Sequence, residues 1–188
     1  MKKMNSPNPA LTSGGSGGAR QFATSSGVTV LHVDDDPNDT ALLEAARRKA
    51  EIEFRLQNVS DGDQAMAYLN GSEPYANRTR HPWPTLILLD LKMPRATGFE
   101  ILRWIRNRPD CKDLAVVVLS GSELQEDIRK AYSMGANSYL VKPLGFEALV
   151  ELVRKMTSVW LSPRPRRLPI MPATRPEIKP SASGGRFR

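Results

Sequence analysis

The 188-residue chain is short of several features that mark other classes of protein. It has one cysteine, Cys111, which cannot close an internal disulfide or build a cysteine-based metal site and which favours a reducing compartment. Its continuous apolar runs, such as Leu86–Leu89 and Leu114–Leu119, fall far short of the ~18 residues needed to span a bilayer. No apolar stretch follows Lys2 and Lys3, so the amino terminus does not read as a secretory signal. A soluble, cytoplasmic protein is expected. What the chain has in excess is positive charge, a net +7 with a pI of about 9.8, which read as an average suggests a polyanion binder. The middle of the chain lacks that excess. Residues 28–161 carry 17 bases and 19 acids, whereas residues 1–27 carry +3 and residues 162–188 carry +6.

Composition divides the chain at the same places. Residues 1–27 hold five Gly and five Ser with hardly an apolar side chain to bury, the composition of a flexible arm. Residues 162–188 hold six prolines, whose spacing forbids a helix or a central strand, and the segment is too short for a DNA-reading domain. It reads as an extended basic tail. No internal repeat is visible.

Between the tails, strand and helix signals alternate. Val28–Val33 is a β-branched run that stops at three aspartates, where Asp36 caps a helix opened by Pro37. Phe54–Val59 reads as a second strand, and Asp61 and Gly71 bracket a second helix. The stretch Gly71–Pro84, with three prolines, is an unusually long loop. Thr85–Asp90 is continuously apolar until its aspartate, as expected of a strand covered on both faces. A helix at Phe99–Asn107, a strand at Ala115–Ser120, a helix from about Glu123 to Met134 and a strand at Ser138–Val141 follow. Phe146, Leu149, Val150, Val153, Met156 and Trp160 repeat at helical spacing in the last element. Five such β/α units predict a doubly wound α/β fold, flavodoxin-like, with a parallel five-stranded sheet in the order 2-1-3-4-5.

In open α/β sheets the site lies at the carboxyl ends of the strands. That rule gathers Asp34 and Asp35 after strand one, Asp90 after strand three, Ser120 at the end of strand four and Lys142 after strand five. Three carboxylates at close range cannot all stay ionised without compensation, and a hard cation with oxygen ligands, Mg²⁺, supplies it. Three Asp, one Mg²⁺ and Lys142 sum to zero charge, which leaves room for a phosphoryl group held by metal, ammonium and hydroxyl.

The stretches Val33-Asp34-Asp35-Asp36-Pro37, Leu88-Leu89-Asp90-Leu91-Lys92-Met93-Pro94, Thr97-Gly98-Phe99-Glu100, Val118-Leu119-Ser120 and Tyr139-Leu140-Val141-Lys142-Pro143 together resemble the receiver domain of two-component response regulators, the CheY-like family. The resemblance covers residues 28–161. It implies that Asp90 is the phosphoacceptor, taking a phosphoryl group from a sensor histidine kinase or a histidine phosphotransfer protein. It further implies that Asp34, Asp35, Asp90 and the backbone carbonyl of Lys92 hold Mg²⁺, and that Lys142 and Ser120 contact the phosphoryl oxygens. Pro143 would follow a cis peptide bond. Ser120 and Tyr139 would form the switch, and Lys92 and Ser122 would border the hydrolytic water and tune phosphate lifetime. The family acts as a phosphoacceptor switch, with self-phosphotransfer and self-dephosphorylation only. The long loop with Tyr75, Pro82 and Pro84, and the ending Val159-Trp160-Leu161, resemble single-domain regulators associated with bacterial phytochromes. That likeness implies a phytochrome kinase as donor, no dedicated DNA-binding domain, and a homodimer through the face of helix four, strand five and helix five.

Plainer readings stand beside these. Asp36, Asp61 and Asp63 are helix-start acids. His32 and His81 read as a strand residue and a loop residue rather than ligands, Trp104 and Trp160 as packing anchors with Trp160 equally suited to burial against a second subunit, and Tyr139 also suits plain edge-strand packing. Gly145 stands where many receivers place an Asp, and Gly121 after Ser120 leaves access to the phosphate open. A haloacid-dehalogenase-type phosphohydrolase uses similar groups, but its nucleophile sits at the end of strand one and needs a later paired acidic motif that is missing here. The remaining alternative keeps the receiver and gives the basic carboxyl-terminal tail a nucleic-acid or anionic-membrane ligand, against a merely solvated tail.

Overall fold

Each strand of this chain is short, four to six residues, and is followed by a helix that crosses back over the sheet. The computed structural model describes residues 27–94 and 97–161. In chain order the elements are β1 (Thr29–Val33), α1 (Pro37–Lys49), β2 (Arg55–Val59), α2 (Gly62–Asn70), β3 (Leu86–Leu89), α3 (Gly98–Arg106), β4 (Ala115–Ser120), α4 (Gln125–Ser133), β5 (Ser138–Val141) and α5 (Phe146–Trp160). The sheet order is β2-β1-β3-β4-β5, and every pairing is parallel. This is the expected flavodoxin-like topology.

Strand alternation builds two cores. Leu31, Val33, Ile87, Leu89, Val116 and Val118 point to one face, where they meet Ala65, Tyr68 and Leu69 of α2, Ile101, Leu102 and Ile105 of α3, and Ala131 of α4. Val30, Leu86, Leu88, Ala115, Val117 and Leu119 point the other way and are covered by Leu43 and Ala46 of α1 and Val150, Val153 and Met156 of α5. β1, β3 and β4 are buried along their whole length, which explains their unbroken apolar sequence. The edge strand β5 has no fully buried residue. Trp104 packs on the first core and Trp160 on the second, as anchors.

Local signals set the helix ends. Asp36 accepts a hydrogen bond from Asn38 N at 2.8 Å, and Pro37 opens α1. Asp61 accepts from Gln64 N at 2.8 Å, and Gly71 closes α2 in the left-handed region at φ 70°. α3 starts one residue earlier than the apolar pattern suggests, because Thr97 caps it: its N–H and hydroxyl both donate to the Glu100 carboxylate. α4 starts later than expected, at Gln125. The Ser122 hydroxyl donates to Asp127 Oδ2 at 2.5 Å, which holds residues 121–124 as a turn before the helix.

The long segment 71–84 is pinned as a cover over α2 and β2. Arg78 donates to the carbonyls of Tyr68, Leu69 and His81, satisfying the carboxyl end of α2. The Tyr68 hydroxyl donates to Pro82 O at 2.7 Å, Arg55 donates to Thr79 O at 2.9 Å, and His81 Nδ1 lies 3.0 Å from Gln57 Oε1. His81 is thus a structural loop residue. Among the described residues no helix is long and apolar enough to cross a membrane.

Candidate phosphoryl-transfer site

Ladder hydrogen bonds run one residue past the strands and place the site. Asp34 N donates to Val59 O at 3.0 Å, Asp90 N to Val33 O at 2.9 Å and Lys142 N to Ser120 O at 2.9 Å. The backbone after β1, β3 and β5 is therefore held in sheet register, and the side chains of Asp34, Asp90 and Lys142 converge. Lys142 Nζ donates to Asp34 Oδ2 at 2.7 Å and to Asp90 Oδ2 at 3.0 Å, across 108 and 52 residues of sequence. One carboxylate oxygen from each of Asp34, Asp35 and Asp90 lies within 4.8 Å of the others. Asp35 is exposed, whereas Asp34 and Asp90 are only 1% and 6% exposed.

The other oxygen of each buried acid is fixed by main chain. Asp90 Oδ1 accepts from Leu91 N at 2.6 Å and Lys92 N at 3.2 Å, and Asp34 Oδ1 accepts from Asp36 N at 3.0 Å. Burial works to raise the Asp34 carboxyl, but hydrogen bonds from His32, Lys142 and Asp36 N together hold it down at about 2. Burial likewise works against the Lys142 ammonium, and its three carboxylate partners overcome this and push it above the usual lysine range. The β3–α3 turn that carries Asp90 leans on Gly98, whose backbone approaches so closely that a Cβ there would stand 2.1 Å from Asp90 O.

Ser120 lies at the end of β4, fully buried, with a hydroxyl that has no hydrogen-bond partner among the described residues. Such orphans are rare and costly unless a ligand completes them. Tyr139 is half-buried against the α2–α3–α4 core, and its hydroxyl donates to Ser122 O at 2.8 Å. Burial pushes its phenol up, with the Asp127 carboxylate adding to the effect. Ser122 is 2% exposed, and its hydroxyl donates to Asp127, anchoring the β4–α4 turn. Lys92 places its N–H on Asp90 and its side chain in solvent.

One expectation is corrected. The Lys142–Pro143 bond is trans; among the described residues the cis peptide bond is Glu73–Pro74. Trans is favoured before proline by ~0.5–1 kcal/mol. With that isomer Lys142 still completes its bond to Ser120 O and still reaches its carboxylates, so nothing in the site demands cis.

Two residues at the site escape a reading of the motifs. Asp39, in the first turn of α1, accepts from Lys142 Nζ at 2.6 Å and gives the ammonium a third carboxylate. His32 is buried on β1 with Nε2 3.3 Å from Asp34 Oδ2 and Nδ1 3.2 Å from Thr40 Oγ1, which in turn donates to Asn58 Oδ1. Strand alternation, which puts residues 32 and 34 on one face, is the signal that finds His32. For Asp39 the signal is a fourth acid within six residues.

The donor set suits a divalent cation. Three hard carboxylate oxygens converge, one acid is open to solvent, and soft ligands are missing from the group. Asp34, Asp35 and Asp90 are the residues that would hold it.

A family model described as the response regulator receiver domain matches residues 30–154. The response regulator Rcp1 of Synechocystis sp. is 36% identical over 132 residues, which span 70% of this chain and 88% of Rcp1. The crystal structure of the Mn(2+)-bound form of Rcp1 superposes with a TM-score of 0.66 at 33% identity, covering 75% of this chain and 99% of that one. The response regulator RPA3017, described in red light signaling of R. palustris, gives a TM-score of 0.69 at 38% identity over 71% of this chain and 94% of that one. The phosphorylated cyanobacterial phytochrome response regulator RcpA gives 0.66 at 34% identity over 73% and 96%.

Proposed function

Since this chain belongs to the response regulator receiver domain family of two-component signalling, we propose that it is a phosphorylation switch whose acceptor is Asp90. The observation that carries this reading is the Lys142 ammonium bonded to Asp90 inside a group of three carboxylates. The receiver unit spans residues 28–161 and works in the cytoplasm. Its donor is a phosphohistidine on a sensor kinase or phosphotransfer protein, of phytochrome type, as the relatives' descriptions suggest.

In the transfer, a carboxylate oxygen of Asp90 attacks phosphorus, the N–P bond of the phosphohistidine breaks, and its electron pair stays on the imidazole. The product is an acyl phosphate. The Leu91 and Lys92 N–H groups orient the Asp90 carboxylate, Lys142 offsets charge on the phosphoryl oxygens, and the Ser120 hydroxyl gains the partner it lacks among the described residues. Mg²⁺ at Asp34, Asp35, Asp90 and the Lys92 carbonyl would neutralise carboxylate and phosphoryl charge when bound. Hydrolysis of the acyl phosphate returns the protein to its starting state.

The signal leaves through Ser120 and Tyr139. Movement of Ser120 toward the phosphoryl group frees space beside Tyr139, and exchange of its bond to Ser122 O repacks the face of α4, β5 and α5. Exposed Leu124, Leu144, Phe146 and Val159 lie on or beside these elements and support a homodimer there. The basic tail at 162–188, the remaining candidate for nucleic-acid or membrane binding, lies outside the described residues. The test of the acceptor is incubation with acetyl phosphate and Mg²⁺ followed by intact-mass analysis. A gain of about 80 Da, the mass of one phosphoryl group, is expected in the native chain and not in Asp90→Asn. An adduct that persists in the variant sinks the assignment.

A further inference from the structure

The Lys142 ammonium does not rest between two acids alone. Asp39 Oδ2, at 2.6 Å, is its nearest carboxylate, closer than Asp34 at 2.7 Å or Asp90 at 3.0 Å. Asp39 differs from the other two in kind. It is not part of the group of converging oxygens that would hold a cation, its side chain is one-third exposed, and it projects from the first turn of a helix instead of a strand end. Its position there is stable without Lys142, because a negative side chain suits a helix amino terminus. Lys142 comes to it from β5, so the contact joins the first crossover helix to the last strand.

This arrangement changes the charge sum at the site. With Asp34, Asp35 and Asp90 alone, Lys142 and a divalent cation reach neutrality. With Asp39 the sum is one unit negative before any phosphoryl group arrives. A negative site attracts a cation and repels an anion. Geometry adds to the same effect. An ammonium has three protons to donate, and each of the three is directed here to a different carboxylate. Any proton given to Asp39 is one not given to Asp34 or Asp90, where it would compete with the cation, nor to a phosphoryl oxygen.

We infer that Asp39 is a positioning residue that draws the Lys142 ammonium toward α1, strengthening cation binding at Asp34, Asp35 and Asp90 while weakening the hold on a phosphoryl group. This rests on the assignment of Asp90 and its neighbours as the phosphoryl site. It separates two affinities that a purely structural role would move together. In Asp39→Asn, an isosteric change at a partly exposed position, Lys142 turns to Asp34 and Asp90 and one negative charge is gone. Cation affinity should fall and anion affinity should rise.

The experiment measures two dissociation constants by calorimetry on the full chain: Mg²⁺ alone, and beryllofluoride, a phosphoryl mimic, at saturating Mg²⁺. Asp39→Asn is expected to weaken Mg²⁺ binding about three- to fivefold and tighten beryllofluoride binding by a similar factor, the scale of a partly exposed ion pair. Asp39→Glu, which keeps the charge, should restore both toward the native values. If both constants move the same way in Asp39→Asn, or neither moves, the inference is overturned. Failure of the native chain to bind beryllofluoride or to gain a phosphoryl group on Asp90 would instead overturn the assignment of the site.

Discussion

At the scale of single residues, Asp34 shows how a buried charge is kept. Its carboxylate has three hydrogen-bonding neighbours, His32, Lys142 and Asp36 N, and they hold its pKa near 2 against the ordinary 3.8. A carboxyl depressed on folding contributes stability that is complete above the unfolded value and is lost as pH falls through the folded one. In chelator-treated buffer, urea unfolding should therefore show a loss of about 2 kcal/mol between roughly pH 4 and pH 2 from this group. Asp34→Asn should flatten that limb; an identical acid limb in the variant would show that Asp34 is not its source. Residues like this mark what a sequence does and does not disclose. Asp34, Asp35, Asp90, Ser120 and Lys142 are legible because each lies at or just past the carboxyl end of a strand, and parallel topology brings strand ends together. Asp39 was not, because its partner is 103 residues away and no period or cap connects them. The isomer at Pro143 was not legible either, since it depends on where the Lys142 side chain and backbone bonds are completed, a tertiary matter.

At the scale of elements, the helix ends set by Asp36, Asp61 and Gly71 are readable from the sequence, whereas the starts of α3 and α4 are displaced. Asp36, Asp61 and Gly71 act within a few residues of themselves, and those boundaries agree with expectation. The delayed start of α4 comes from the side-chain bond between Ser122 and Asp127, which competes with helical backbone. The same bond engages the Ser122 hydroxyl, a contact that its spacing from Ser120 does not disclose. The turn between β3 and α3 supplies the sharpest test at this scale. Gly98 lets α3 start against the carbonyl of Asp90, and an added Cβ would meet that oxygen at 2.1 Å and Leu91 Cα at 2.8 Å, both backbone atoms that cannot turn aside. Gly98→Ala should lower unfolding free energy by about 3 kcal/mol and slow phosphorylation of whatever fraction stays folded, because the Asp90 turn has to shift. Native stability in a denaturant melt would refute the close approach.

For the whole molecule, the positive charge that the sequence suggests for the entire protein belongs to its ends, and the described domain carries a small negative excess. Within that domain, stiffness is distributed unevenly. β1 and β3, which hold Asp34 and Asp90, are flanked on both sides by other strands and buried throughout, whereas β5 has one neighbour and no buried residue. Local opening costs least where few buried contacts must be broken. Amide hydrogen exchange at Ser138–Val141 should accordingly run faster than at Thr29–Val33 or Leu86–Leu89, and beryllofluoride with Mg²⁺ should slow it by engaging Lys142; equal rates in the three strands would contradict this. The edge position of β5 then has a thermodynamic consequence. On the proposed function, the edge strand that carries Tyr139 and leads into Lys142 is the one whose populations a single new charge can shift, while the central strands that lead into Asp34 and Asp90 stay in register. On that reading, reception belongs to the stiff centre of the sheet and response to its looser edge.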